Sequence, residues 1–430
     1  MTVRVSIVTL GCPKNEVDSG RMAALVASSG YELTDDLEEA DVAVLNTCAF
    51  IREAVEESVA AALDLGLRWK VEREGRRIVL AGCMPSRYAG DLETELPEVD
   101  AFLPVAEESA LLATLERLTG ERTAERGDAL RSATGSSAYL MVSDGCFRSC
   151  AYCTIPAIRG DFRSTPADAL EDEARALIAT GAREIVLVGQ DISSWGRDMD
   201  GGRLADVVGR LAALEGLAWL RLMYVQPDGV TDELLEAMAS APAVCRYLDL
   251  PLQHASRDVL RRMGRAGDAE SHLALLARIR AAMPDIVLRT SLIAGFPGET
   301  EGHLTELEAF LEAARFDYAG VFAYSPEEGT PAASMRPRVP ARERMARANR
   351  VREVADRIGF ERAADRIGSS LAVLIEGVDE DGATIGRWRG QAPEIDGVVS
   401  LDRPGRPGGI VRARIVDALG YDLLGEVEQS

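Results

Sequence analysis

Seven cysteines stand in a chain of 430 residues, and six of them fall into two patterns of the kind that metal chemistry uses. The tighter pattern is Cys146-Phe-Arg-Ser-Cys150-Ala-Tyr-Cys153, a C-x3-C-x2-C run. Three thiolates are able to hold three irons of a cubane cluster and leave the fourth iron open to a ligand. Zinc is the competing occupant. A structural zinc site takes four ligands, however, and neither a fourth cysteine nor any of the histidines, His254, His272 and His303, lies near this run. The looser pattern is Cys12, Cys48 and Cys83, each within two residues of the end of a short apolar run. Cys245 lies inside such a run, outside both triads, and reads as packed.

The elements that must position these thiols alternate. Val3–Leu10, Asp41–Asn46 and Arg77–Ala81 read as buried strands, with helices over Glu16–Ser28 and Arg52–Leu67 between them. That order is the signature of a three-layer open parallel sheet, assigned to residues 1–119. Right-handed crossovers place the carboxyl ends of all its strands on one edge, so Cys12, Cys48 and Cys83 are expected to meet in space. Residues 120–131 are polar and rich in small side chains, which marks a linker.

Residues 132–363 carry a longer alternation. Strands are expected at Ala138–Val142, Glu184–Val188, Leu217–Met223, Arg246–Leu250, Val287–Ile293 and Tyr318–Ala323, with helices such as Ala167–Thr180, Thr231–Ser240 and Ser271–Ala282 between them. A complete or partial (β/α) barrel follows, whose chemistry belongs on the loops after the strands. A charged helical stretch, Ala341–Ile367, comes next. Over residues 364–430 the helical period gives way to five short β-like runs separated by Gly, Asp and Pro, as in a small all-β barrel.

Charge narrows the partners. The 48 basic residues against 70 acidic ones leave −22, a field that opposes RNA or an anionic membrane and favours a basic partner. The N-terminal MTVRVSIVTLGC lacks a long apolar segment after a basic start, and no run approaches the length of a spanning helix, so no membrane is expected and a cytoplasmic location is. An odd cysteine count in a chain too large to need disulfide staples points to reduced thiols.

The run Cys146–Cys153 resembles the core motif of the radical S-adenosylmethionine superfamily. Gly11-Cys-Pro-Lys-Asn15, Asn46-Thr-Cys-Ala-Phe50, Ala81-Gly-Cys-Met84, IPAIRGDFRSTP after the cysteine run, Leu250-Pro-Leu-Gln-His-Ala-Ser256, Gly295-Phe-Pro-Gly-Glu-Thr300 and the terminal small barrel together resemble the methylthiotransferases of that superfamily. The match spans essentially the whole chain. It implies an N-terminal domain with an auxiliary cluster, a radical core barrel and a TRAM domain. It also implies two [4Fe-4S] clusters, one on Cys146, Cys150 and Cys153 and one on Cys12, Cys48 and Cys83, with S-adenosylmethionine as both methyl donor and radical source. An electron donor such as a flavodoxin or ferredoxin is implied as well.

Further cofactor contacts are expected around Tyr152 and at Gly189 and Gln190 after the second barrel strand, although an ordinary polar turn reads equally well there. Gln253 follows the fourth strand, with His254 beside it as a hydrogen-bonded supporting residue or a catalyst. Ile293, Gly295 and Glu299 either line the adenosine pocket or turn the chain. Arg159 and Arg163 would hold an anionic substrate group or lie solvated in a loop. Thr165 stands where the family often carries a basic residue, which puts one substrate contact in doubt.

Two branches of the family fit, one modifying an adenosine of transfer RNA and the other an aspartate of small-subunit ribosomal protein twelve. The motif Gly11-Cys-Pro-Lys-Asn15 resembles the ribosomal-protein branch, as does Pro251-Leu-Gln-His-Ala-Ser256. Independently of the family, residues 366–430 carry seven arginines against eleven acids, a net −4 with few aromatics and no lysine. Such a barrel suits a basic protein better than RNA. The expectation is therefore methylthiolation of the aspartate β-carbon in that ribosomal protein, with transfer RNA as the alternative. A non-catalytic iron–sulfur electron carrier is the reading from another class, and it is disfavoured because carriers complete each cluster with four cysteines.

Overall fold

The computed structural model describes residues 2–121 and 130–429, so most of the expected linker lies outside the described residues. The chain forms two compact units. One comprises residues 1–132, 144–148 and 153–163; the other comprises 133–143, 149–152 and 164–430.

The first unit is built on five parallel strands, β1 (Arg4–Thr9), β2 (Glu32–Leu33), β3 (Val42–Thr47), β4 (Arg77–Gly82) and β5 (Ala101–Pro104), in the order β2-β1-β3-β4-β5. The central strand β3 is buried along its whole length. Its alternate residues feed two different cores, Val42 and Val44 into one and Ala43 and Leu45 into the other. Ile78 and Leu80 alternate with Val79 and Ala81 on β4 in the same way. A sheet covered on both faces needs such continuous apolar strands, and the three-layer architecture follows from them.

In the second unit six parallel strands form one open sheet: β6 (Ser137–Met141), β9 (Glu184–Val188), β10 (Trp219–Leu222), β11 (Val244–Gln253), β12 (Val287–Ala294) and β13 (Tyr318–Ala323), ordered as numbered from one edge to the other. The barrel is thus partial. Two-residue strands Ser143–Asp144 (β7) and Arg163–Ser164 (β8) pair separately. Ile185, Leu187, Leu220, Leu222, Leu248 and Leu288 pack against the surrounding helices. The alternate positions Glu184, Arg221, Asp249 and Arg289 are polar.

Five further strands, β14 (Ser370–Val378), β15 (Thr384–Trp388), β16 (Val399–Leu401), β17 (Ile410–Leu419) and β18 (Asp422–Val427), close into a barrel. Within the second unit it docks on the six-stranded sheet through buried charge. Arg387 on β15 meets Glu184 on β9 at 2.6 Å, and Asp396 accepts from the Tyr247 hydroxyl at 2.5 Å and from Arg289 at 3.2 Å. These partners sit in the first half of the barrel strands, the end opposite to the one where chemistry is expected. Among the described residues, no helix is long and apolar enough to cross a membrane.

Candidate metal and cofactor sites

Cys12 caps the helix Pro13–Ala27, Cys48 directly follows β3, and Cys83 opens the helix Cys83–Glu95 after β4. All three come off the carboxyl edge of one sheet, and Asn15 ties two of them together. Its Nδ2 donates to the carbonyls of Leu10 and Thr47, both at 2.9 Å, which leaves Oδ1 facing the Cys12 thiol at 3.5 Å and the Cys83 thiol at 3.7 Å. Cys48 is brought in by Gly11: with φ +99°, a methyl group there would lie 2.6 Å from Cys48 Cβ and 3.1 Å from its Sγ. Gly82, at φ +92°, is equally constrained, since a methyl group would lie 2.1 Å from Asn46 Oδ1.

Burial pushes the Cys48 thiol up, and it pushes Cys83 up to about 12. Free of metal, these thiols stay protonated, so iron binding there releases protons. Among the described residues no three His, Cys, Asp or Glu side chains converge tightly enough to hold a single metal ion. A cubane takes one thiolate on each of three separate irons and is served by a wider arrangement.

Next to these thiols is Arg159, whose side chain is 1% exposed. Its Nη2 donates to Asp18 at 2.6 Å and to Asn15 Oδ1 at 3.3 Å, and its Nη1 donates to Asp144 at 3.1 Å. Burial alone would lower this guanidinium, but Asp18 and Asp144 hold it more firmly charged than an ordinary arginine. Burial and nearby Asp18 push Glu108 up to about 9, so its carboxyl is neutral at pH 7. The short helix Ile155–Arg159 is anchored by Ile158 in the core of the first unit, and Thr154 donates to the Phe50 carbonyl at 3.1 Å. Arg159 is thus neither solvated nor free for substrate, whereas Arg163 is exposed.

The C-x3-C-x2-C run contributes residues to each unit. Cys146 and Cys153 belong to the first and Cys150 to the second. The Arg148 N–H donates to Cys146 Sγ at 3.4 Å. Arg265, held by Gln226 Oε1 at 2.6 Å and the Pro251 carbonyl at 2.8 Å, places Nη1 3.7 Å from Cys150 Sγ. Ala151 is fixed on both sides, donating to the Met263 carbonyl and accepting from the Ala332 N–H. Tyr152 stands edge-on to Phe296 at 6.5 Å, and both pack with Ile293.

The remaining expected contacts lie at the carboxyl ends of barrel strands. Gly189 and Gln190 follow β9, and both amide atoms of Gln190 are buried without a hydrogen-bond partner. An unpaired buried amide is costly, so this one fits a polar ligand such as the amino-acid end of S-adenosylmethionine. Gln253 ends β11 with φ +70°, at a register shift against β12. Glu299 is used inside the protein: Oε2 accepts the Gly295 N–H at 2.9 Å and Oε1 accepts Arg347 at 3.0 Å. His254, fully buried, takes the Ser256 N–H on Nδ1 and lies 3.5 Å from Glu299, which makes it a supporting residue. Thr165 is also structural, donating to the Met141 carbonyl at 3.1 Å. Cys245 is fully buried within β11.

Sequence reasoning named Asn15 only as part of a motif and missed its role. The available signal was its place three residues after Cys12, in the first turn of a helix. Asp18, Asp144 and Arg265 were missed outright.

Three family models match the chain in order: UPF0004, an uncharacterized protein family, over residues 4–104; the radical SAM superfamily over 140–311; and the TRAM domain over 367–427. The ribosomal protein uS12 methylthiotransferase RimO of Geobacter sulfurreducens is 43% identical over 440 residues, spanning 99% of this chain and 98% of that protein. The RimO proteins of Trichlorobacter lovleyi and Desulforudis audaxviator are each 44% identical, over 99% of this chain and 98% and 97% of their own lengths. Among solved structures, the radical S-adenosylmethionine methyltransferase TsrM of Kitasatospora setae aligns with a TM-score of 0.56 at 14% identity, covering 77% of this chain and 74% of that one. The cobalamin-dependent radical enzyme OxsB aligns with 0.53 at 15% identity, covering 83% of this chain and 56% of its own. These two likenesses are of fold.

Proposed function

Because the chain belongs to the family of ribosomal protein uS12 methylthiotransferases called RimO, we propose that it places a methylthio group on the β-carbon of an aspartate in uS12, in the cytoplasm. The observation that carries the reading is the gathering of Cys12, Cys48 and Cys83 at one sheet edge, in a chain that also bears the C-x3-C-x2-C run.

In this reading Cys146, Cys150 and Cys153 hold one [4Fe-4S] cluster and Cys12, Cys48 and Cys83 hold a second. The chemistry that an iron–sulfur cluster supplies together with S-adenosylmethionine is homolytic, opening a C–H bond that no side-chain base can deprotonate. The chain's own residues prepare for it. Arg265 sets an N–H 3.7 Å from the Cys150 sulfur and so orients that ligand. Gln190 offers one donor and one acceptor to the amino-acid end of S-adenosylmethionine. Tyr152, Ile293 and Phe296 form an apolar wall that excludes water, and Glu299 keeps the Gly295 turn open-handed by holding its N–H. Electrons come from a small carrier such as a flavodoxin or ferredoxin.

The partner follows from charge. Seven acids, among them Glu380, Asp381, Asp402 and Asp417, are exposed on the small barrel against the four arginines Arg403, Arg406, Arg412 and Arg414, a net acidic surface that favours a basic ribosomal protein over RNA. The test is mass spectrometry of uS12 and of bulk transfer RNA from cells with and without the gene. A methylthio increment on the uS12 aspartate that vanishes on deletion is expected; loss from a transfer RNA adenosine instead would overturn the substrate assignment.

A further inference from the structure

Asn15 Oδ1 is placed to accept from two thiols, and that arrangement holds only while the thiols keep their protons. When Cys12 and Cys83 bind iron as thiolates they become acceptors, and the oxygen loses both donors. The amide cannot turn to offer its nitrogen instead, because Nδ2 is already committed to the Leu10 and Thr47 carbonyls. Among the described residues the remaining donor to Oδ1 is Arg159 Nη2, from a guanidinium buried between Asp18 and Asp144. Asp18 is itself 3% exposed, so water screens this pair little.

We propose that Arg159 is a positioning residue for the second cluster: it keeps Asn15 Oδ1 bonded once Cys12 and Cys83 are thiolates, and its buried positive charge raises that cluster's reduction potential. The inference rests on the two-cluster reading above. Iron–sulfur potentials respond to nearby net charge and to hydrogen bonding around the cysteine ligands. Removing the cation should therefore make the reduced cluster harder to form, and removing its counter-ion should make it easier. Those opposite signs separate an electrostatic role from a merely structural one.

The experiment uses full-length, iron-reconstituted protein carrying Cys150→Ala, so that the cluster remaining is the one on Cys12, Cys48 and Cys83. Iron content and an EPR-monitored redox titration are read in this background, then with Arg159→Gln, Arg159→Lys or Asp18→Asn added. Arg159→Gln should move the midpoint potential negative, Arg159→Lys should restore most of it, and Asp18→Asn should move it positive. If the background chain holds no cluster, the two-cluster reading has failed. If it holds about four irons, as one cubane requires, but its potential is the same with Arg159→Gln, or Asp18→Asn fails to move it positive, the role of Arg159 is overturned. Should Arg159→Gln not fold, Asp18→Asn, which retains the arginine, decides.

Discussion

The two units each bury arginines and carboxylates, but they use them differently. Where the small barrel docks, Glu184 sits between Arg221 at 2.7 Å and Arg387 at 2.6 Å. Although its burial alone would raise the carboxyl, the two guanidiniums hold it down at about 2. Arg289 lies between Asp249 and Asp396, and Arg221 stacks over the Tyr247 ring at 4.6 Å. Here each charge is answered by another charge. In the first unit Arg159 is answered in the same way by Asp18 and Asp144, but Asn15 Oδ1 faces the Cys12 and Cys83 sulfurs, burial keeps Cys83 protonated, and Glu108 is neutral nearby. Charge answered within the protein is architecture. An amide oxygen set beside a thiol that burial keeps protonated is an arrangement that the proposed second cluster would complete.

The comparison breaks most visibly if the thiol sites are removed. Cys150→Ala should abolish S-adenosylmethionine cleavage and product together. Cys12→Ala should leave cleavage intact and abolish the methylthio product. In both, product formation should fall to background, a loss of at least about 10⁶-fold on the general scale of enzymatic rate enhancement. Both chains should keep the denaturation midpoint of the parent to within what iron loss itself explains. Cleavage surviving in Cys150→Ala would sink the assignment of that run to the radical cluster.

Glu184→Gln should do the reverse. It leaves Arg221 buried without its carboxylate and Arg387 with Glu376 alone, which costs about 3–5 kcal/mol, while activity per folded molecule is unchanged. Urea denaturation and activity assays on the same preparation check both halves. An intact midpoint would mean that the small barrel docks by something other than this network.

How much of this was readable in advance follows the range of the interactions. The strands announced themselves because a doubly covered parallel sheet demands unbroken apolar runs, and the five runs of the small barrel match β14 to β18 one for one. Edge strands β2 and β5 were too short to stand out. The helix Cys83–Glu95, which carries Pro85 and Gly90 and is kinked at Ala89, gave no clean period. The thiol gathering was legible because topology alone sends parallel strand ends to one edge. Arg159 was not, since its partner Asp18 lies 141 residues away and a loop arginine carries no local sign of burial. Glu184 likewise reads as the polar start of a strand until Arg387 arrives from 203 residues downstream.

The smallest effect sharpens the comparison within the second unit, through a titratable group that forms no ion pair among the described residues. His272, on the helix Ala269–Ala282, packs against Phe310 with ring centroids 6.0 Å apart. Burial, assisted by the positive Arg265, lowers its pKa to about 4 from 6.5. The unfolded chain takes up a proton below pH 6.5 while the folded chain refuses it until about pH 4, so stability is full above 6.5 and declines as pH falls toward 4. At pH 5 the loss should be about 2 kcal/mol relative to pH 7. His272→Gln should flatten this part of the stability profile, whereas Glu184 continues to favour the folded state until pH falls below 4.5 toward 2, because its folded carboxyl is held low. Denaturant midpoints of parent and variant at pH 7, 6 and 5 decide it. A parallel decline in both would mean that the acid sensitivity of this unit arises in its ion pairs and that its neutral histidine is a bystander.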